Sequence, residues 1–263
     1  MDDPRQLPGG PAVFAGAPPG AVPRVDGTLD YWRAGLDDVP EEVWTRPGPE
    51  VLLLCDNRLT SVPARIGTLT TLHTLDLGHN RLGSVPPEIG ALTGLTRYLY
   101  LHDNLLTDLP DSLGALTRLA YLNVGENRLT ALPETLGAMT GLVELRAQDN
   151  RLTRLPAGLG RLTALRELWL RGNGLTDLPD SVRDLRDLRE LELRDNALET
   201  VPESLRGLPR MRRLDLRGNR LSELPRWVAG LPSLEKLDLR WNDVRVPPGL
   251  LDELTGRGCV TLL

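Results

Sequence analysis

A few histidines and aspartates of this sequence have the types and spacing that suggest acid–base or metal chemistry. The chain has three histidines, and His79 and His102 fall in neighbouring stretches of similar sequence that also carry Asp56 and Asp103. Imidazole and carboxylate groups bind several divalent metals, and imidazole is a common general base. An adventitious metal site is therefore conceivable, but the spacing follows from a repeat that runs along the chain. We predict no metal centre and no cofactor.

The sequence lacks the motifs that usually accompany catalysis. It has no G-x-x-x-x-G-K-[ST] phosphate loop, no H-E-x-x-H, no C-x-x-C and no G-x-S-x-G. The open sheet that the repeat predicts also lacks the water-excluding pocket that catalysis generally uses. We therefore predict a protein that is not an enzyme. A turnover activity lost on His102→Ala would favour the alternative.

Asparagine marks the repeat that positions these residues. It recurs after Leu-x-Leu, or a close variant, every 23 residues, with one gap of 24 that ends at Asn104. The amide of each asparagine can satisfy backbone groups of its own turn and of the adjacent repeat, so we predict a structural ladder. The ladder comprises Asn57, Asn80, Asn104, Asn127, Asn150, Asn173, Asn196, Asn219 and Asn242.

Apolar periodicity predicts the elements of each repeat, as in LTALRELWLRGNGLTDLPDSVRD at residues 162–184. Leu168 and Leu170 alternate with polar or exposed positions, which indicates a short strand with one buried face. Consecutive copies would stack these strands in parallel, about 4.8 Å apart. The Leu178-Pro179 pair begins the returning side, where proline donates no backbone hydrogen bond and short helical or 3-10 turns are expected.

The shared pattern L-x-x-L-x-L-x-x-N-x-L-x-x-L-P-x-x-L-x-x-L resembles the leucine-rich repeat family. It is most similar to the 23-residue class found in many bacterial proteins and in intracellular proteins related to the Ras-group repeats. The resemblance implies an α/β repeat solenoid, a right-handed horseshoe with a concave parallel β-sheet of about ten strands. Short helical or 3-10 turns would lie on its convex side. Ala147 departs from the pattern at a strand leucine, and Ala34 stands where a first asparagine is expected.

Four segments follow from the repeat and its ends. They are a flexible Pro/Gly-rich leader at 1–28, a degenerate N-terminal capping repeat at 29–49, nine repeats at 50–248 and a C-terminal cap at 249–263. The leader opens with acidic residues where a secretory signal carries basic ones. The final CVTLL is expected to add a last strand or a strap.

Cysteine usage and base composition give our expectation for the compartment and the source. Cys55 and Cys259 lie near opposite ends of the array, so we expect two free thiols rather than a disulfide. Free thiols and the lack of cysteine-rich caps fit a reducing cytoplasm. A bias towards Arg, Gly, Ala and Pro is typical of GC-rich coding and favours a bacterial source.

The charge balance disfavours nucleic acids and anionic membranes as partners. The formal net charge is −5 and no apolar run approaches the roughly 18 residues of a membrane span. A column of arginines near two tryptophans superficially suits a single-stranded nucleic acid, but interleaved acids would repel phosphate. These arginines are Arg171, Arg194, Arg217 and Arg240, and the acids are Glu192, Asp215 and Asp238.

The exposed strand positions of the central repeats are the predicted partner-binding site. They are rich in Tyr, Trp and Arg, the residue types enriched in interface anchors. The predicted residues are Tyr98, Tyr100, Tyr121, Asn123, Arg146, Trp169, Arg171, Glu192 and Arg194. We expect Trp169 to bury nothing in its own chain, and Arg146, Arg171 and Arg194 to pair with acids of the partner. Alternatively, the acidic and arginine columns of the later repeats form ion pairs that only keep the face soluble.

The 24-residue gap places one extra residue within Thr96-Arg97-Tyr98, at the entrance of a strand. A bulge can absorb it there without disturbing the asparagine ladder. The addition is either neutral, or it pushes Tyr98 outward beside Tyr100 and Tyr121. The sequence leaves both interpretations open.

These features together predict a non-enzymatic protein–protein interaction module, a monomeric scaffold or adaptor. Its partner would be another protein or a peptide bound across the concave sheet. The resemblance also leaves open a regulator of a small GTPase, or an accessory subunit that recruits the substrate of a separate enzyme. Nothing in the residues selects among these roles.

Overall fold

A single parallel sheet organises the computed structural model, which describes residues 27–263. Its eleven strands pair in chain order, each with the next. They are β1 Thr28–Asp30, β2 Val51–Leu53, β3 Thr74–Asp76, β4 Tyr98–Tyr100, β5 Tyr121–Asn123, β6 Glu144–Arg146, β7 Glu167–Trp169, β8 Glu190–Glu192, β9 Arg213–Asp215, β10 Lys236–Asp238 and β11 Val260–Leu262. The expected solenoid is therefore confirmed. It has one strand more than the ten expected, because the C-terminal segment adds β11 beside β10.

Both ends of the sequence bear on the expected segments. The predicted leader falls almost wholly outside the described residues, and β1 begins at Thr28, one residue before the capping repeat was expected to start. At the other end, α2 (Leu250–Gly256) buries Leu250 and Leu254 and packs against β11. Within residues 27–263 no helix combines the length and the apolar character needed to cross a bilayer.

The strands follow the period-two pattern because each repeat can bury its leucines only against its neighbours. The middle residue of each central strand is fully buried, as at Leu99, Leu122 and Leu145. Ala147, the departure from the strand pattern, is fully buried as well. Cys55 and Cys259 are both free and buried, as expected.

The opposite side of the solenoid consists of short 3-10 helices. In residues 27–263 these are Ala64–Thr68, Pro87–Ala91, Asp111–Ala115, Glu134–Ala138, Leu159–Arg161, Asp180–Asp184, Glu203–Leu205 and Arg226–Gly230. Most begin directly after the proline of the Leu-Pro or Val-Pro pair, for example after Pro110 with φ −68° and ψ 142°. Proline holds this extended conformation and needs no hydrogen-bond acceptor for its nitrogen. A four-residue helix, α1 (Glu42–Thr45), lies in the first repeat.

Each asparagine of the ladder makes four hydrogen bonds that join two repeats. Asn127 Nδ2 donates to the carbonyl oxygens of Leu101, Val124 and Gly125 at 3.0, 3.1 and 3.0 Å. Its Oδ1 accepts from the Leu106 N–H at 3.0 Å. The same four bonds recur from Asn57 to Asn242. These asparagines hold the turn that leaves each strand.

The residue before each asparagine has a left-handed backbone. Its φ is 57° at Asp56, 53° at Asp149, 66° at Gly172 and 62° at Gly218. Aspartate and glycine tolerate this conformation better than most residues. The turn therefore places a row of mostly acidic side chains along the C-terminal ends of the strands.

Candidate functional site

The sheet face, formed by the outward side chains of β4 to β8 and the residue two beyond each strand, brings the predicted site residues into register. Tyr100, Asn123, Arg146, Trp169 and Glu192 are successive partners across the strands. Tyr98, Tyr121, Glu144, Glu167 and Glu190 form the column two residues earlier. Arg171 and Arg194 follow β7 and β8. The sequence thus predicted the columns, although it did not predict the contacts within them.

Three tyrosines form an aromatic cluster at one end of the sheet face. Tyr98 stacks on Tyr100 with ring centroids 5.8 Å apart, and Tyr121 lies 5.6 Å from Tyr98 and 5.1 Å from Tyr100. Tyr121 is only 6% exposed. Burial raises the pKa of Tyr100 and Tyr121 above the usual tyrosine range, so both remain neutral phenols at pH 7. The rings form a mainly apolar patch, and the Tyr121 hydroxyl is itself buried.

Backbone hydrogen bonds locate the extra residue of the 24-residue gap. The N–H of Arg97 donates to the carbonyl of His73, just as the N–H of His73 donates to that of Glu50. Arg97 therefore occupies the position before the strand that His73 occupies one repeat earlier, and Thr96 is the added residue. Tyr98 is back in register with Tyr121. Whether the insertion serves binding stays a prediction.

Arg146 lies between two aromatic rings and pairs with a glutamate of its own strand. Its guanidinium carbon is 5.0 Å from the ring centroid of Trp169 and 5.9 Å from that of Tyr121. Its Nε is 2.5 Å from Glu144 Oε1. The expectation that Trp169 buries nothing in its own chain was wrong, because Arg146 covers part of the indole, which is half-buried.

The other arginines of the face also have carboxylate partners within the chain. Arg171 pairs with Asp149, and Arg194 lies 3.3 Å from Asp195 and 4.0 Å from Glu192. Further along, Arg217 pairs with Asp215 and Arg240 with Asp238. The expectation that Arg146, Arg171 and Arg194 pair with acids of a partner stays a prediction, and all three already have a carboxylate of this chain nearby. The left-handed turn supplies Asp149 and Asp195, which the strand pattern did not place.

Two glycines, each two residues after a strand, leave room for a long side chain of the next repeat to lie close to the backbone. A Cβ on Gly78 would come 2.4 Å from His102 Cε1, and one on Gly125 would come 2.4 Å from Gln148 Nε2. The buried atoms His102 Nδ1 and Gln148 Oε1 have no hydrogen-bond partner in the described part of the chain. Glycine alternates with a long side chain at the position two residues after each strand in this part of the sheet, and this pattern is visible in the sequence.

The histidines do approach each other, as the spacing suggested. His79 Nε2 lies 3.2 Å from His102 Nε2, and His79 Nδ1 lies 2.6 Å from Asp103 Oδ2. Burial, followed by the neighbouring His79, lowers the pKa of His102 to about 4. Between residues 27 and 263 no three His, Cys, Asp or Glu side chains are grouped to hold a metal ion.

Comparison with known families decides what this repeat is. A model described as "Leucine rich repeat" matches residues 50–106 and 202–244, and one described as "Leucine-rich repeat region" matches residues 95–192. The chain is a leucine-rich repeat protein. No protein in the curated set matches the sequence.

Solved structures show the same fold. A leucine-rich repeat protein of Leptospira interrogans is 31% identical with a TM-score of 0.80, over 84% of this chain and 56% of that one. The plant peptide hormone receptor RGFR1, in complex with RGF2, is 25% identical with a TM-score of 0.74, over 85% and 41%. The functional domain of InlJ from Listeria monocytogenes, at 23% identity and a TM-score of 0.75 over 90% and 52%, supports the fold alone. This leucine-rich repeat chain thus spans about half the length of these structures.

Asp76, beside Tyr100 in the sheet, gives the leucine-rich repeat chain a pH-dependent stability. Burial raises its pKa from 3.8 to about 6, although the Gly78 N–H donates to it at 2.9 Å. Between these pH values the unfolded chain releases a proton that the folded chain keeps. The free energy of unfolding therefore falls as the pH rises and is lowest above pH 6.

We expect Asp76→Asn to raise the free energy of unfolding at pH 7 by about 1 kcal/mol and to change it little at pH 3. The full pKa shift of Asp76 would correspond to a larger change in the free energy of unfolding, but its side chain keeps some contact with solvent. Asparagine preserves the acceptor for Gly78. Urea unfolding between pH 3 and pH 7 measures the effect, and exposed Asp111 gives the matched control Asp111→Asn. An equal gain at every pH would contradict the assignment.

His102 acts in the opposite direction and must be separated from Asp76. Because its folded pKa of about 4 lies below the usual histidine value of 6.5, the unfolded chain takes up a proton first as the pH falls. This lowers the free energy of unfolding from about pH 6.5 down to about pH 4. The free energy of unfolding is plotted against pH for the parent chain and for Asp76→Asn. The difference between the two curves removes the His102 contribution, since both proteins contain His102.

Proposed function

We propose that this leucine-rich repeat protein is a non-enzymatic interaction module that binds another protein or a peptide on the sheet face. The observation that carries the proposal is the continuous run of aromatic and arginine side chains from the tyrosine cluster through Arg146 to Trp169. Tyr, Trp and Arg dominate binding energy at interfaces because they combine a large contact area with polar groups. The similar plant receptor in complex with RGF2 supports such a role for this scaffold.

The dimensions of the sheet face suit an extended segment. Four strand spacings of about 4.8 Å separate β4 from β8, a span of roughly 19 Å. An extended peptide covers about 3.4 Å per residue, so about six residues would cross the face. The strands are held by the asparagine ladder and the leucine core, so the face loses little conformational entropy when a partner binds.

The wider role that we propose is that of a monomeric scaffold or adaptor in the cytoplasm of a bacterium. The two free, buried thiols support a reducing compartment. The absence of a basic excess in the sequence supports a protein partner over a nucleic acid. Ion pairing of the arginine column with its own acids supports the same choice.

Trp169→Ala tests the sheet face. Full-length protein would capture partners from the native host for identification by mass spectrometry, and the affinity of each purified candidate would then be measured by calorimetry. Truncation of an interface anchor costs about 2 kcal/mol or more, so we expect an affinity loss of roughly 30-fold. Because Trp169 is only half-buried, the melting temperature should change by a few degrees at most.

Trp241→Ala is the matched control. Trp241 is also on the strand side but follows β10, three repeats from Trp169, and it is 67% exposed. The control variant should bind as the parent does. Unchanged affinity of the Trp169→Ala variant for every captured partner would refute the proposed face.

A further inference from the structure

Glu167 is the glutamate of the sheet face for which residues 27–263 provide no ion pair. Its two register neighbours both have one: Glu144 pairs with Arg146 at 2.5 Å, and Glu190 pairs with Arg213 at 3.2 Å. Glu167 accepts a long hydrogen bond of 3.4 Å from Trp169 Nε1. In the described residues no arginine, lysine or histidine nitrogen lies within ion-pair distance of it. The column of three glutamates therefore has an open position for a cation at its centre.

The surroundings of Glu167 make its negative charge costly. Burial raises the pKa of Glu167, and the carboxylates of Glu144 and Glu190 raise it further. The hydrogen bond from Trp169 and the charge of Arg146 oppose this rise only in part. A like charge on each side disfavours ionisation, whereas an opposite charge within a few ångströms favours it. A cation supplied from outside would relieve both the desolvation and the repulsion, and it would gain more there than at a fully solvated carboxylate.

The arginines of the sheet face are less available to an acidic segment than Glu167 is to a basic one. Arg146 is enclosed by Tyr121, Trp169 and Glu144, while Arg171 and Arg194 already pair with Asp149 and Asp195. An incoming acid would have to displace a carboxylate of this chain for each new ion pair. Charge complementarity therefore favours a basic occupant.

We propose that the segment bound on the sheet face carries an arginine or lysine that pairs with Glu167. The neighbouring residues of the segment cover the tyrosine cluster and the indole of Trp169 with apolar side chains. This inference rests on the proposed function, because it names the chemistry of the partner for the same face.

Selection from a random twelve-residue peptide library tests the charge of the occupant directly. The full-length chain would be the bait, with Trp169→Ala, Glu167→Gln and Glu88→Gln variants in parallel. We expect the parent to enrich peptides with one fixed basic position beside apolar residues. The isosteric Glu167→Gln variant should lose the basic preference and keep the apolar one. Glu88 lies exposed on the 3-10 side, so Glu88→Gln controls for the loss of one charge.

Affinity measurements on a selected peptide then test the pair itself. Replacing its arginine with citrulline, the neutral isostere, should weaken binding to the parent roughly 10- to 100-fold, as expected for a charge-assisted hydrogen bond. The same replacement should have little effect on binding to Glu167→Gln.

The possible failures separate the two proposals. If the parent enriches nothing beyond the Trp169→Ala variant, the sheet face does not bind peptides and both proposals fail. If the parent enriches acidic or neutral peptides, or if Glu167→Gln keeps the basic preference, the face binds but the assignment of Glu167 is overturned.

Discussion

Replacing Asn127 with alanine should lower the free energy of unfolding by about 3 kcal/mol. The amide of Asn127 donates to three carbonyl oxygens and accepts from the N–H of Leu106. Alanine leaves these backbone groups of two repeats without their partner in a buried turn. Each such group costs about 1 to 3 kcal/mol, and entry of water into the space left by the side chain offsets part of the total.

The loss should be visible in urea unfolding followed by circular dichroism, with Asn242→Ala as the matched control. Asn242 makes the same four bonds, but it lies near the C-terminal end and is only half-buried. Water can replace its amide more easily, so the control should lose about 1 kcal/mol. Equal, small losses at both positions would mean that the ladder contributes little to stability.

The difference between these asparagines illustrates what a repeat allows a sequence to predict. Every copy must bury Leu-x-Leu against its neighbours, so strand positions, their order and their register follow from the period alone. Even the added residue could be confined to three positions, and the hydrogen bond of Arg97 then identified Thr96. These features depend on the backbone and on buried leucines, which tolerate few alternatives.

The pairing of side chains on the sheet face could not be predicted in the same way. Arg146 is near Glu144 and Trp169 in any leucine-rich repeat model, but the period does not say which contact a flexible guanidinium makes. Arg171 pairs diagonally with Asp149, which stands in the left-handed turn of the preceding repeat. The apolar pattern contains no information about that turn. The sequence therefore predicted the columns of the candidate site, but it did not predict which carboxylates of the chain its arginines contact.

Glycine on the convex side was a second signal that the apolar pattern left unused. A glycine follows the inward residue of successive 3-10 turns, as at Gly90, Gly114, Gly137 and Gly160. None of these has a positive φ, so conformational freedom does not explain them. A Cβ on any of the four would approach a backbone oxygen of the next repeat within 2.0 to 2.6 Å. Glycine is required there because adjacent turns pack backbone against backbone.

Gly160→Ala should therefore destabilise the chain by about 2 to 3 kcal/mol. The added methyl would lie 2.0 Å from the carbonyl oxygen of Ser181, a distance that real contacts do not show. A flexible side chain could move aside, but here the turns Leu159–Arg161 and Asp180–Asp184 must separate. The fully buried apolar side chains of these turns, such as Leu162 and Val182, would lose contacts as the turns separate. Urea unfolding again provides the measurement.

The same turn supplies a control two residues away. Gly158 has φ −82° and ψ 6°, which alanine adopts without strain, and the nearest atom to an added Cβ is 3.9 Å away. Gly158→Ala should therefore leave stability unchanged or raise it by about 0.5 kcal/mol, because alanine restricts the unfolded chain. The pair isolates the contact with Ser181 from the general effect of adding a methyl group. If both variants unfolded at the same urea concentration, close backbone packing would not be the reason for glycine at position 160, and the stacking of the 3-10 turns would need a different physical account.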